Sequence, residues 1–215
     1  MPVKRPIDRT PTQYQKAKII NIKSLSSNVK LFSLKPSVLF KWIPGQFVIT
    51  KTLINSEERM ADYTIISSNS NHSQFDILVE NYIGSHVGKY FHLLKIGEEI
   101  TLKGPHGRFY YEETERDVVF VARDIGISAA IPILRNLTEM NFKHKIFFFN
   151  VITENFREIL KDYVINFAKG VSLTYVSITS EDVEEDKLTT GKFLKPDLQK
   201  YFSNLKEADF YLSGS

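Results

Sequence analysis

The sequence predicts a six-stranded antiparallel β-barrel over residues 14–112, followed by a doubly wound parallel α/β domain over residues 116–215. Three observations carry this expectation. Up to residue 112, short runs of alternating apolar and polar residues recur between turn signals, as half-buried strands do. Beyond Arg116 the apolar runs become continuous, the mark of strands buried on both faces. Those runs also alternate with helical patterns, which is the grammar of a parallel sheet.

Residues 1–13 read as a polar arm with three prolines. Strand patterns follow at 17–22, 29–34, 46–50, 62–66, 75–79 and 99–102, punctuated by Pro44-Gly45, Ser70-Asn71, Ile96-Gly97 and Gly104-Pro105. Six strands at nearly even spacing suggest a small closed barrel. The second domain opens with a strand at 117–122. A helix comes next, with Ser128 as its N-cap and Ile131, Leu134 and Leu137 along one side. Pro132 falls in its first turns, where a missing N–H does least harm. The pattern continues with strand 145–151, helix 155–167, strand 172–177, an acidic loop at 181–186, helix 196–204 and strand 209–212. A doubly wound sheet normally covers such a last strand with a helix, so the sequence reads as shortened at its C-terminus.

Composition sets the broad class. The 215 residues are 42% hydrophobic and 25% charged, as in soluble globular proteins. A net charge of +3 gives no argument for nucleic acid. Nine basic residues precede residue 42 against one acid, Asp8, but in no dense run, so they read as solvated strand faces. The absence of cysteine excludes disulfides, a Cys-ligated iron–sulfur cluster and a thiol nucleophile within this sequence. The five histidines show no ligand spacing, so no metal site is expected. No signal peptide or bilayer-spanning run is visible, and a cytoplasmic location is expected. Composition is silent on oligomeric state.

Two local features carry chemistry. Tyr63-Thr64 ends a strand with an aromatic face and a hydroxyl. Gly84 to Gly88 is a glycine-opened loop before an amphipathic stretch. Bare backbone N–H groups at such a helix start suit a phosphate. It is not a Walker loop, because three residues separate the glycines and Tyr90 stands where Ser or Thr would hold magnesium. Leu212-Ser213-Gly214 lacks the leading glycine of a nucleophile elbow.

In this order and spacing the chain resembles the ferredoxin–NADP reductase superfamily, within it the cytochrome b5 reductase-like and bacterial oxygenase-reductase branches, over about residues 14–215. Ala61-Asp62-Tyr63-Thr64 stands for the family's Arg-x-Tyr-Ser/Thr. Gly84-Ser85-His86-Val87-Gly88-Lys89-Tyr90-Phe91 stands for Gly-Gly-x-x-Ser-x-Tyr-Leu. Gly104-Pro105-His106-Gly107-Arg108-Phe109 keeps the Gly-Pro-x-Gly-x-Phe turn. Arg123-Asp124-Ile125-Gly126-Ile127-Ser128-Ala129 replaces the glycine-rich nucleotide loop, and Ser213-Gly214-Ser215 the closing Cys/Ser-Gly-Pro.

The resemblance implies an FAD-binding barrel, with FMN as the alternative, and a pyridine-nucleotide domain. Tyr63 would pack on the isoalloxazine and Thr64 would hydrogen-bond near its N5. Leu78, Glu80 and Tyr82 would run beside the ribityl and adenine portions. Gly84 and Ser85 would open the phosphate loop, and the N–H groups of His86, Val87 and Gly88 would receive the pyrophosphate. Gly126, Ile127, Ser128 and Gly214 would border the nicotinamide nucleotide, with Thr64 and Ser128 nearest the chemistry. The motif arginine is Ala61, and Arg59, two residues away on the same strand face, would substitute. The loop hydroxyl is missing at Gly88. At the nucleotide loop, Arg123 and Asp124 fill the approach to a phosphate; Asp124 competes with it for a helix N-terminus, whereas Arg123 could grip it. Asn150-Val151-Ile152-Thr153 lacks a basic residue for a 2′-phosphate, which favours NADH over NADPH.

The expected function is a flavin-dependent oxidoreductase. Hydride would pass from NAD(P)H to FAD, and electrons onward to a separate iron–sulfur or haem protein. The alternatives are a flavin-binding electron-transfer module with a degenerate nucleotide site, and a descendant that keeps only the fold.

Overall fold

The structure is a computed structural model, and it describes residues 13–68, 72–152, 161–179, 201 and 205–214. Two compact units result, one of described residues up to Glu113 with Ile131–Asn136, the other of Thr114–Ala130 and the described residues from Leu137.

The first unit is built from β1 (Gln15–Ser24), β2 (Val29–Pro36), β3 (Phe47–Ile54), β4 (Glu57–Thr64), β5 (Phe75–Glu80) and β6 (Glu99–His106). Helix α1 (His86–Leu93) lies between β5 and β6 in sequence. The strands run antiparallel in the order β4-β3-β6-β1-β2-β5. The two ends of this sheet meet where Ile65 bridges to Ile77, which curls it into a barrel. Alternation sends one face of each strand inward. Ile19, Phe32, Leu34, Val48, Phe75, Ile77 and Leu102 are all fully buried there, with Phe91 of α1 among them. At about 25 cal/mol per Å² of apolar area, each such side chain contributes about 1.5–3 kcal/mol.

One element is longer than the sequence suggests. Strands expected at 46–50 and 62–66 extend towards each other as a continuous hairpin, paired from Phe47–Thr64 to Ile54–Glu57. Its two-residue turn is Asn55-Ser56, both at positive φ (51° and 64°), as a tight hairpin turn requires. Asn tolerates that conformation; Ser there conceals the signal that Asn-Gly would give.

The second unit contains β7 (Asp117–Arg123), a 3-10 turn (Asp124–Gly126), α2 (Ile127–Glu139), β8 (Lys145–Ile152), α3 (Lys161–Phe167), β9 (Ser172–Thr179) and β10 (Ala208–Ser213). Its sheet is parallel, in the order β10-β7-β8-β9. Seven consecutive residues of β8 are buried, as the continuous apolar run implies. The chain steps outward from β7 to β9, then returns to the far side of β7 as β10. The C-terminal ends of β7 and β10 therefore flank the topological switch point, where open α/β sheets bind ligands.

Ser128 is not an N-cap. The 3-10 turn runs straight into α2, which starts at Ile127, so Ser128 is inside the first helical turn. Pro132 is the sixth residue of α2. The acidic stretch 181–186, the helix expected at 196–204, the first part of that expected at 155–167, and the Ser70-Asn71 turn lie outside the described residues.

Candidate flavin and nucleotide sites

In the barrel unit, the end of β4 packs against α1. α1 packs against β3, β4 and β5. The Tyr63 ring meets the Phe91 ring of α1 at a centroid distance of 5.1 Å, tilted by 49°. Phe91 is buried on Phe32, so Tyr63 is braced from behind. Tyr82, in the exposed loop between β5 and α1, is near enough to influence Tyr63 electrostatically. Burial first, and Tyr82 second, push the Tyr63 phenol well above its ordinary range. It therefore stays a neutral hydroxyl. Thr64 follows on the opposite face of β4, half-buried and paired with Phe47.

A raised phenol pKa stabilises the fold below the unfolded value of about 10 and loses that contribution as pH climbs past it. Urea midpoints of the wild type should fall more steeply above about pH 10 than those of Tyr63→Phe. Parallel curves would contradict the burial of this hydroxyl.

The α1 start is a capped helix N-terminus. Ser85 is the N-cap, and its Oγ accepts the Gly88 N–H at 3.0 Å, an arrangement worth about 1 kcal/mol. The Gly88 amide is thus already used, contrary to its expected place under a pyrophosphate. His86 N–H reaches the Gly84 carbonyl at 3.1 Å. Val87 N–H is the first-turn amide left without an acceptor among the described residues. Gly84 adopts φ +93° and a Cβ there would meet nothing within 4 Å. An open glycine beside an unused amide at a helix start fits a phosphate group.

Gly88 has a different reason to be glycine. A Cβ on it would lie 2.2 Å from the Glu80 carbonyl oxygen and 2.4 Å from Ser85 Oγ. The hydroxyl-bearing residue of the family pattern has no room here. Two further expectations need correction. Leu78 is only 3% exposed opposite Leu31 on β2, so it offers no surface to a ligand. Arg59 sits out on the β3–β4 hairpin and is ion-paired with Glu57, both exposed. Such a pair contributes about 0–1 kcal/mol, so it holds Arg59 only lightly. Glu80 faces α1 through its carbonyl, and its side chain is half-buried.

A cleft of about 330 Å³ opens elsewhere, where β3 leaves β6 beyond the Lys51–Thr101 pair. Lys16, Thr52, Glu58, Tyr90 and Glu99 help to line it. Neither Tyr63 nor the Gly84–Gly88 loop borders it.

In the α/β unit, the switch point gathers Arg123, Asp124, Gly126, Ser213 and Gly214. A Cβ on Gly126 would lie 2.5 Å from the Gly214 nitrogen, and Ser213 Oγ donates to the Gly126 carbonyl at 2.8 Å. Gly126 and Gly214 are therefore brought into backbone contact. Ile127 is 1% exposed and offers only backbone; Ser128 is half-buried. Ser213 carried no assigned role in the sequence reading, since its partner stands 87 residues away. Asp124 has φ +47°, where a glycine would be unstrained. Asn150, at the end of β8, is buried and donates to the Tyr175 hydroxyl at 2.8 Å.

Among the described residues, no cluster of His, Cys, Asp and Glu could hold a metal ion, and no helix is long and apolar enough to cross a membrane.

Comparisons with known proteins bear on both units. Residues 16–111 match the oxidoreductase FAD-binding domain family. The chain is 30% identical over 129 residues to NADH-cytochrome b5 reductase 1 of Mycosarcoma maydis, covering 58% of this chain and 40% of that protein. It is 33% identical over 112 residues to the glycine betaine monooxygenase reductase subunit of Pseudomonas aeruginosa, covering 51% and 31%. The chain thus spans well under half the length of these relatives. The fold matches that of ferredoxin–NADP+ reductase from Plasmodium falciparum with a TM-score of 0.76 and 20% identity, over 94% of this chain and 86% of that one. It also matches the flavohem-like FAD/NAD-binding domain of nitric oxide dioxygenase from Vibrio cholerae, with a TM-score of 0.73 and 16% identity, over 94% and 99%. The barrel unit thus matches an oxidoreductase FAD-binding domain over residues 16–111, and the chain, with its parallel four-stranded sheet, has the fold of a ferredoxin–NADP+ reductase.

Proposed function

We propose that the protein is a flavin-dependent NAD(P)H oxidoreductase that hands electrons to a separate iron–sulfur or haem protein. The observation that carries this is the meeting of Tyr63 with α1, whose start presents the open Gly84 and the unused Val87 amide. A bound flavin would supply hydride acceptance from the reduced nicotinamide and electron release to the partner. The chain's own residues supply placement. Tyr63 offers a rigid aromatic face braced by Phe91. Its hydroxyl remains a neutral donor, and the Thr64 hydroxyl lies one residue on for a ring nitrogen. Val87 N–H and the α1 dipole favour the phosphate portion. FAD is preferred to FMN because the matched domain family is described as FAD-binding. NADH is preferred to NADPH, because the described end of β8 (Asn150, Val151, Ile152) carries no cation for a 2′-phosphate. A cytoplasmic site of action accords with this chemistry.

One observation favours a second reading, a flavin module whose α/β unit takes no nucleotide: Asp124 places a carboxylate in the loop that would meet a phosphate. Purified protein distinguishes the two. It should be yellow, with flavin absorption bands that bleach under anaerobic NADH. A yellow protein that NADH and NADPH both leave oxidised supports the module; a colourless protein that takes up no added FAD or FMN overturns both readings.

A further inference from the structure

We propose that Arg123 is the phosphate anchor of the α/β unit and that Asp124 is a built-in competitor for it. The two adjacent residues then act in opposite directions on the same ligand. The inference rests on the nucleotide-binding reading above and specifies how that site recognises its ligand.

The placement is first. Arg123 is the last residue of β7, at the switch point beside β10. Its stem is seated on the β10 exit, since a Cβ on Gly214 would lie 2.8 Å from Arg123 Cβ. The guanidinium thus starts from a defined position rather than from a loose loop.

The unmet hydrogen bond is second. Arg123 Nε is buried and has no hydrogen-bond partner. The Asp124 carboxylate stands 3.7 Å from it, with the two side chains 30% and 25% exposed. That separation is an ion pair but too long for a hydrogen bond. A buried charged donor without an acceptor is unfavourable, so the group favours an acceptor that can reach it. A phosphate oxygen suits a guanidinium fork in shape and charge.

The third observation explains why a side chain is needed. Gly126 has spent its bare surface on packing against Gly214, and its carbonyl on Ser213. Recognition that a glycine loop would make through open backbone falls here to Arg123. Asp124 partly neutralises the guanidinium when no anion is present, and it repels an arriving phosphate. The probe class is therefore a dinucleotide with an accessible pyrophosphate, and NADH is the one used.

The test measures NADH dissociation constants on the full chain by titration calorimetry, alongside thermal unfolding. Arg123→Ala keeps the Cβ that packs on Gly214, so unfolding should not shift, while NADH binding should weaken about 10- to 100-fold. Arg123→Lys should fall between, because an ammonium keeps the charge without the fork. Wild-type affinity should decline with ionic strength, and Arg123→Ala should flatten that dependence. Asp124→Asn, which tolerates positive φ, should tighten NADH about 3- to 10-fold, by removing one like charge. If Arg123→Ala binds as the wild type does with the same salt dependence, or Asp124→Asn weakens binding, this assignment is overturned and the nucleotide site stands. If the wild type binds neither NADH nor NADPH, both fall together.

Discussion

Gly88→Ala should destabilise the barrel unit by about 1–3 kcal/mol and release its flavin. Two effects oppose each other at this position. Alanine is a better helix former than glycine by about 0.8–1 kcal/mol, so on an open helix the change would stabilise. Here the new methyl would lie 2.2 Å from the Glu80 carbonyl oxygen. That oxygen belongs to the backbone at the end of β5 and cannot rotate away. α1 must shift outward, and Ser85 must give up its bond to the Gly88 N–H. The collision wins because it also removes a cap worth about 1 kcal/mol. Urea unfolding gives the stability change, and the flavin-to-protein absorbance ratio gives retention. A variant as stable and as yellow as the wild type would show that β5 and α1 are not packed as described. Gly88→Ser, which restores the family's hydroxyl, should fail for the same reason.

Gly126→Ala should act as severely on the other unit, at about 1–3 kcal/mol, with NADH binding reduced to the limit of detection. The nearest atoms to the added methyl are the Gly214 nitrogen and Cα and the Ser213 carbonyl carbon, at 2.5, 2.6 and 2.7 Å. All three are backbone, so the turn after β7 must part from the end of β10. The Ser213 Oγ bond to Gly126 breaks with it. Gly84→Ala is the useful contrast. Its φ of +93° strains an alanine, but nothing lies within 4 Å, so its cost is conformational alone, about 1 kcal/mol. Equal effects from the two changes would show that close packing is not what separates them.

These two glycines also show where sequence reading succeeds and where it stops. The inward residues of β1, β2 and β5 follow a period of two, and β7 and β8 are unbroken apolar runs, so both sheets were legible. The helix start after Gly84 was legible as a glycine-opened loop before an amphipathic stretch, though Ser85 was not singled out as its cap. The reason for Gly88 was not legible, because its neighbour is a carbonyl eight residues upstream that only the fold brings close. Gly126 and Gly214 are still further apart along the chain. The β3–β4 hairpin escaped notice because its outer residues are exposed and its turn lacks glycine. Ser128 read as a cap because a preceding 3-10 turn leaves no periodic signature over three residues. The opposite charges of Arg123 and Asp124 were legible, one able to grip a phosphate and the other to compete with it, but sequence does not show that one nitrogen is buried beside an oxygen too distant to bond it.

The way the barrel closes has a consequence for its behaviour among other chains. Among the described residues, β4 has β3 along one side, while its other side pairs only at the Ile65–Ile77 bridge to β5 just past its end. Most of one flank of β4 is therefore an unclaimed ladder, able to recruit a stray strand. Glu57, Glu58, Arg59 and Asp62 crowd this rim, exposed. A recruited strand would have to desolvate that charge, which disfavours cross-molecular zipping without sealing the gap.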